Sequence, residues 1–377
     1  MINNSQEVIF FFYPGREKRL NFLDKISTEF LYSYVEANNQ FQNVKLVEVE
    51  NIENSFQKFM KFYDRVIFKL CRIQSNSEKY CKKKFLSLFY SKNILIFTNF
   101  ALGLSAVPYL LHKIIRKKNN VYVINSGLFS FKNSNFLQTF FRLIYLKLFF
   151  NIVAKIIFTS KTEYQFAIKK YSKYESKFKL IEFSPDVNFW TQEIPPQNKE
   201  KKGLLFIGND EGRCFDLLKP LAENLKEYNF TFITNNEKIN KINLPNVEII
   251  SGNWSGNTIS DLDLRDIYRR SKITILPIQN KLVASGQSVA LQSMCNKTPV
   301  IITDTEGFWN RDLFENRKNL FFASDNTLDS WATLINEVYS NDELLNQISE
   351  NAYSTILKNY SKEKFDTEFL KLLNSKV

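Results

Sequence analysis

The sequence predicts an α/β protein made of two successive βαβ series, each forming a mostly parallel sheet. Three observations carry that expectation. Short runs dense in Val, Ile, Leu and Phe alternate with longer segments of helical period. A polar stretch with two prolines, residues 191–202 (TQEIPPQNKEKK), separates the first series from the second. The 377 residues are 44 % hydrophobic, enough apolar material for two cores of ordinary domain size.

In the first series, residues 8–13 (VIFFFY) read as a buried strand ended by Pro14-Gly15. Residues 45–49 (KLVEV), 93–98 (NILIFT), 121–124 (VYVI) and 155–158 (KIIF) read as later strands. In the second series, residues 203–213 (GLLFIGNDEGR) open with a strand that runs into a glycine loop. Residues 272–277 (KITILP) and 299–303 (PVIIT) read as buried strands, with helices at 328–339 and 361–373. The expected organisation is a Rossmann-like domain at 1–190, a linker at 191–202, a second Rossmann-like domain at 203–360, and a terminal helix at 361–377.

The stretch 284–304 (ASGQSVALQSMCNKTPVIITD) is the most informative in the chain. A turn of small polar residues, Ser285-Gly286-Gln287-Ser288, opens a helix at the carboxyl end of a strand. The glycine lets a ligand approach the backbone, and the helix start offers free N–H groups and the positive end of its dipole. An anion is the expected guest. Gly208 and Asn209 lie in the loop after the first strand of this series, with Arg213 beyond them as a cation beside the anion site. Lys281, just before the turn, is a second cation for the same charge.

These motifs resemble the donor site of glycosyltransferase family 4 (glycosyltransferase group 1), retaining enzymes of the GT-B fold. The likeness covers roughly residues 180–377. Besides 284–304 it includes 203–213, the helix-like 263–271 (DLRDIYRRS) and the closing segment 319–325 (NLFFASD). It implies two Rossmann-like domains facing across a cleft, with the last helix crossing back to the first. It also implies that Arg213 and Lys281 meet the leaving diphosphate, and that Gly208, Asn209, Ser285, Gly286, Gln287, Ser288 and Gln292 line the nucleotide-sugar site. Where the family carries E-x7-E, this sequence has Ala284 and Gln292. Gln292 keeps donor and acceptor for ribose hydroxyls, whereas Ala284 has neither, so Ser285 and Gln287 are candidates for the lost contact. Gly15 and Arg16 occupy the amino-terminal loop that in the family approaches acceptor and donor phosphates.

The activity this resemblance implies is transfer of a sugar from a nucleotide-sugar to a saccharide or lipid-linked saccharide acceptor, in surface polysaccharide, lipopolysaccharide or glycolipid synthesis. Retention of configuration comes from the resemblance alone. Were the reaction inverting, an amino-terminal carboxylate would act as base, with Asp24 and Glu29 as guesses. No metal and no bound cofactor are expected. Asp261-Leu262-Asp263 spells a metal-binding D-x-D, but its place before a helix favours capping. The four cysteines and single histidine lack metal-site spacing.

Charge is divided unequally. Residues 1–195 hold 29 Lys/Arg against 15 Asp/Glu, and no acid occurs between Glu78 and Glu163. Such a surface suits a polyanion, including an anionic membrane. Residues 136–158 (FLQTFFRLIYLKLFFNIVAKIIF) are too interrupted by charge to span a bilayer, and suit either core packing or an interfacial helix. The start lacks signal-peptide features. The chain therefore reads as cytoplasmic, with peripheral contact at the inner face of the cell membrane. Two other classes stay open: a noncatalytic GT-B partner subunit, favoured by Ala284, and a nucleic-acid-directed protein using the basic half. The second is disfavoured because the aromatics sit in apolar runs.

Overall fold

The computed structural model describes residues 6–49, 55–115, 120–131, 134–192, 201–252 and 259–374. Residues 193–200, most of the expected linker, lie outside the described residues. The chain forms two compact units. The first contains residues 1–20, 31–182 and 366–377, and the second contains residues 21–30 and 183–365.

The strands of the first unit are β1 (Val8–Phe12), β2 (Val44–Glu48), β3 (Ile94–Phe97), β4 (Val121–Asn125), β5 (Lys155–Phe158) and β6 (Phe178–Leu180). They pair in parallel in the order β2-β1-β3-β4-β5-β6. Every residue of β1 is fully buried, which is what an unbroken apolar run means when helices cover both faces of a parallel sheet. Phe11 stacks on Phe97 at 4.8 Å and meets Phe89 at 5.7 Å, while Tyr80 packs edge-on to Phe89 at 5.2 Å. The terminal helix Lys362–Asn374 joins this unit from residue 366, where Asp366 accepts from Ser33 Oγ at 2.6 Å and Phe369 meets Phe10.

The second unit holds β7 (Leu204–Ile207), β8 (Phe230–Ile233), β9 (Val247–Ile250), β10 (Ile273–Leu276), β11 (Val300–Thr303) and β12 (Phe321–Ala323). Their order is β12-β11-β10-β7-β8-β9, again all parallel. Strand order reverses between β7 and β10, so the loops leaving those strands flank a crevice, the usual ligand position in open α/β sheets. The two-sheet α/β architecture is the one expected. Four strands, β6, β8, β9 and β12, were not among the expected ones. The apolar stretch 136–158 is a helix only over Phe136–Ile152, and its last residues are β5.

Residues 21–30 are an amino-terminal segment held in the second unit. Ser27 donates its N–H and hydroxyl to Asp261 at 2.8 and 2.9 Å, and Thr28 does the same to Asp186 at 3.1 and 2.8 Å. The D-x-D is thereby explained locally. Asp261 fastens this segment, and Asp263 caps the helix Asp261–Arg270 together with Ser260.

Candidate nucleotide-binding site

The helix Gln287–Cys295 starts immediately after β10 and its loop, with Gly286 as its cap in the left-handed region at φ 82°. A side chain there would be strained, so glycine is required by the turn. The helix is buried on nearly all sides, and its internal polar groups are paired: Ser293 Oγ bonds Thr274 Oγ1 at 2.7 Å. Its first-turn amides have no partner within the helix and carry the positive end of the dipole.

The loop after β7 is bound directly to the loop after β10. Cys214 N–H donates to Pro277 O and Gln279 N–H to Gly212 O, both at 2.8 Å. Asp210 turns the loop by accepting from Gly212 N–H at 2.8 Å. A β-carbon on Gly212 would fall 2.0 Å from Ser285 Oγ, so the two loops touch only because Gly212 has none. Gly208 is equally constrained, since a β-carbon would fall 2.2 Å from Arg213 Nε.

Arg213 is the centre of this arrangement. It is 4 % exposed, its Nε donates to Ile207 O at 3.3 Å, and its Nη1 lies 3.4 Å from Asp210 Oδ2. That same Nη1 is buried without a hydrogen-bond partner among the described residues. It sits 3.4 Å from where a β-carbon of Gly286 would be, beside the helix start. A buried guanidinium nitrogen left without an acceptor costs free energy unless a ligand supplies one.

The other expected residues are distributed around this centre. Ser285 is half-buried at the turn, and Ser288 is half-buried in the first helical turn. Gln287 is buried. Asn209 brackets the neighbouring loops, donating to Gly252 O at 2.7 Å and accepting from Thr234 Oγ1 at 3.1 Å and Asn235 N–H at 2.6 Å. Lys281 is half-buried on the β10 loop, where its carbonyl accepts from Val283 N–H at 2.8 Å. Gly15 and Arg16 belong to the first unit, after β1. Gly15 is left-handed at φ 103°, and burial lowers the Arg16 pKa to about 10.

Gln292, one turn into the helix and past the open end, is 5 % exposed. Its Oε1 accepts from Tyr268 Oη at 3.0 Å and its Nε2 donates to Glu29 Oε1 at 2.8 Å. Glu29 also accepts from Trp190 Nε1 at 2.9 Å and from Asp186 N–H at 3.3 Å. Burial raises the Glu29 pKa to about 7, against the lowering effect of Gln292 and Trp190. Sequence reasoning missed this cluster because its members lie 161 and 263 positions apart. Glu29, an option for an inverting base, is in fact a buried, hydrogen-bonded group.

Residues 253–355 match the family model described as Glycosyl transferases group 1. No curated protein matches the chain. Among solved structures, sucrose-phosphate synthase from Thermosynechococcus elongatus aligns over 98 % of both chains at 10 % identity and TM-score 0.66. HepE from Anabaena, solved with UDP-glucose, aligns over 98 % of this chain and 99 % of its own, at 12 % identity and TM-score 0.66. A glycosyltransferase from Rickettsia africae covers 98 % of both chains at 15 % identity and TM-score 0.58. The fold is therefore GT-B, with two Rossmann-like domains. The matched residues 253–355 include the Gly286 turn and its helix.

Proposed function

We propose that this protein is a glycosyltransferase that moves a sugar from a nucleoside-diphosphate donor to a hydroxyl of a saccharide or lipid-linked saccharide. The observation that carries the reading is the buried Arg213 Nη1, ion-paired with Asp210 at 3.4 Å but without a hydrogen bond among the described residues, held beside the Gly286 helix start. As the sugar–phosphate bond breaks, negative charge develops on the departing diphosphate. Fixed donors that need no reorganisation lower that barrier. Arg213 and the first-turn amide of Ser288 supply them, with Ser285 beside them and Lys281 as a second cation. With these cations in place the step calls for no metal, and chelators should leave turnover unchanged. No resident cofactor is needed either, the nucleotide-sugar being a co-substrate.

Asn209 holds the β7 loop in position. Gln292 offers the ribose hydroxyls the hydrogen and lone pair not committed to Glu29 and Tyr268. Gly15 and Arg16 serve the acceptor side. Retention of configuration fits the group 1 match, with the leaving phosphate taking the acceptor proton. The acceptor class, a component of surface polysaccharide, lipopolysaccharide or glycolipid, fits the basic first half.

Thermal-shift measurement with UDP, GDP, ADP, CMP and their sugar conjugates tests this reading, because a ligand of the native state raises its apparent stability. The expected result is stabilisation by one nucleoside diphosphate that disappears in Arg213→Ala and weakens in Gln292→Ala. A protein unmoved by every nucleotide at millimolar concentration would instead be a noncatalytic GT-B homologue, the reading that Ala284 favours.

A further inference from the structure

We propose that two helices of the first unit, Ser55–Cys71 and Phe136–Ile152, together form a face that docks on an anionic lipid bilayer. The helices pack against each other: Tyr63 Oη bonds Tyr145 Oη at 3.4 Å, and Gln138 Nε2 donates to Lys69 O at 3.1 Å. The second helix turns Tyr145, Leu146, Phe149 and Phe150 into the core. Its other side stays outside, with Phe136 84 %, Leu137 62 % and Phe140 51 % exposed, continued by Ile144 and Leu148 one and two turns on. The first helix adds Phe59 and Phe62, 61 % and 62 % exposed, and Phe56. Large apolar side chains recurring on one side of two packed helices are a contiguous patch, which marks a surface that something else covers.

Charge identifies the cover. Lys58, Lys61, Arg65 and Lys69 recur every three to four positions along the first helix and are all exposed, bordering the phenylalanines. The acid described on that helix, Asp64, is only 9 % exposed and is bonded to Ser75. Lys147 is exposed on the second helix. The face thus combines apolar rings with outward charge of one sign. A second copy of this chain would set like charges against each other across a two-fold axis. A nucleic acid would need free ring faces, whereas Phe56 and Phe59 stack on one another and Phe140 sits edge-on to Phe141. A bilayer with anionic headgroups accepts both features, since rings enter the headgroup–acyl boundary while lysines and arginines reach phosphate. Among the described residues no helix is long and apolar enough to cross a membrane, so the contact is peripheral. This deepens the transferase reading by naming where a lipid-linked acceptor is met.

Flotation of the purified full-length protein with vesicles tests the proposal, using phosphatidylcholine alone and with about a third phosphatidylglycerol. The wild type should float with the anionic vesicles, and less as salt rises. Phe59→Ser/Phe62→Ser/Phe136→Ser/Phe140→Ser should lower binding by about tenfold or more, and Lys58→Gln/Lys61→Gln/Arg65→Gln/Lys69→Gln should remove its salt dependence. The same variants should keep the wild-type thermal transition and nucleotide response, showing that each still folds. A wild type that floats with neither vesicle overturns the proposal, as does binding equal in wild type and phenylalanine variant. A dimer that dissociates in the phenylalanine variant, with no vesicle binding, would assign the face to a second copy. If vesicles bind while no nucleotide does, the transferase reading fails and the docking face stands.

Discussion

Replacing Glu29 by Gln isolates the energetic effect of one buried carboxyl. Burial lifts its pKa from 4.5 to about 7, so the folded protein holds this proton more tightly than the unfolded chain does. The resulting contribution to stability is fully present below pH 4.5, falls as pH rises towards 7, and is absent above that. At about 1.4 kcal/mol per unit of pKa, the whole change is worth about 3 kcal/mol. In Glu29→Gln the amide oxygen still accepts from Trp190 and Gln292, but its NH2 faces the Asp186 N–H, costing roughly 1 kcal/mol. The variant should therefore be more stable than wild type by about 2 kcal/mol above pH 8 and less stable by about 1 kcal/mol near pH 4.5. The assay is urea unfolding monitored by tryptophan emission at several pH values. Among the described residues the tryptophans, Trp190, Trp309 and Trp331, all belong to the second unit, as Glu29 does, so their signal reports that unit. The other carboxyls raised to about 7, Glu78 and Glu163, lie in the first unit and do not enter it. Parallel stability–pH curves for wild type and variant would refute the reasoning.

Gln292→Glu would set a second carboxylate against Glu29 in the same buried cluster, where two like charges cannot both persist. It should unfold more easily at pH 8 by about 2 kcal/mol or more, with the deficit shrinking towards pH 5.5, in the same urea assay. Gly212→Ala would drive its β-carbon into Ser285 Oγ and should weaken nucleoside-diphosphate binding by about tenfold or more in calorimetry, partly restored by adding Ser285→Gly. Arg213→Lys keeps the charge but loses the fork, and the same calorimetry should show a loss of about tenfold. Glu163 accepts from Gly127 N–H through both oxygens, at 3.1 and 2.9 Å. Glu163→Gln turns one acceptor into a donor and should raise hydrogen exchange at Gly127 and Phe129.

The strands that were legible in the sequence are β1 to β5 in the first unit and β7, β10 and β11 in the second, most of them carrying a dense apolar run, although Lys45 and Glu48 interrupt β2. The missed strands show why others were not. β6 is a three-residue edge strand carrying an exposed lysine, and in β9 (VEII) an exposed glutamate interrupts the run and no residue is fully buried. β8 (FTFI) is buried but short, and it sits among polar residues with no glycine or proline to mark its ends. The site divides in the same way. A glycine turn before a helix can be read from adjacent residues, so the Gly286 turn and its helix start were legible. Asn209 was not legible as a loop bracket, nor Gln292 as the partner of Glu29, because their partners lie on distant strands and helices. Arg213 was legible as a cation at the end of its loop, but its depth was not. That depth rests on Gly208, whose missing side chain leaves the room that the guanidinium occupies.

The exchange of segments between the two units has a consequence for biogenesis. Residues 21–30 leave the ribosome early, yet their partners Asp186, Trp190, Asp261 and Gln292 are made long afterwards. The first unit, in turn, lacks Asp366 and Phe369 until the last residues are synthesised. Neither unit is complete while the chain is still emerging, although domains ordinarily fold in the order of synthesis. Nascent chains would therefore carry an unclosed aromatic core until termination. Cutting the gene in the linker would give two fragments that each lack a piece held by the other.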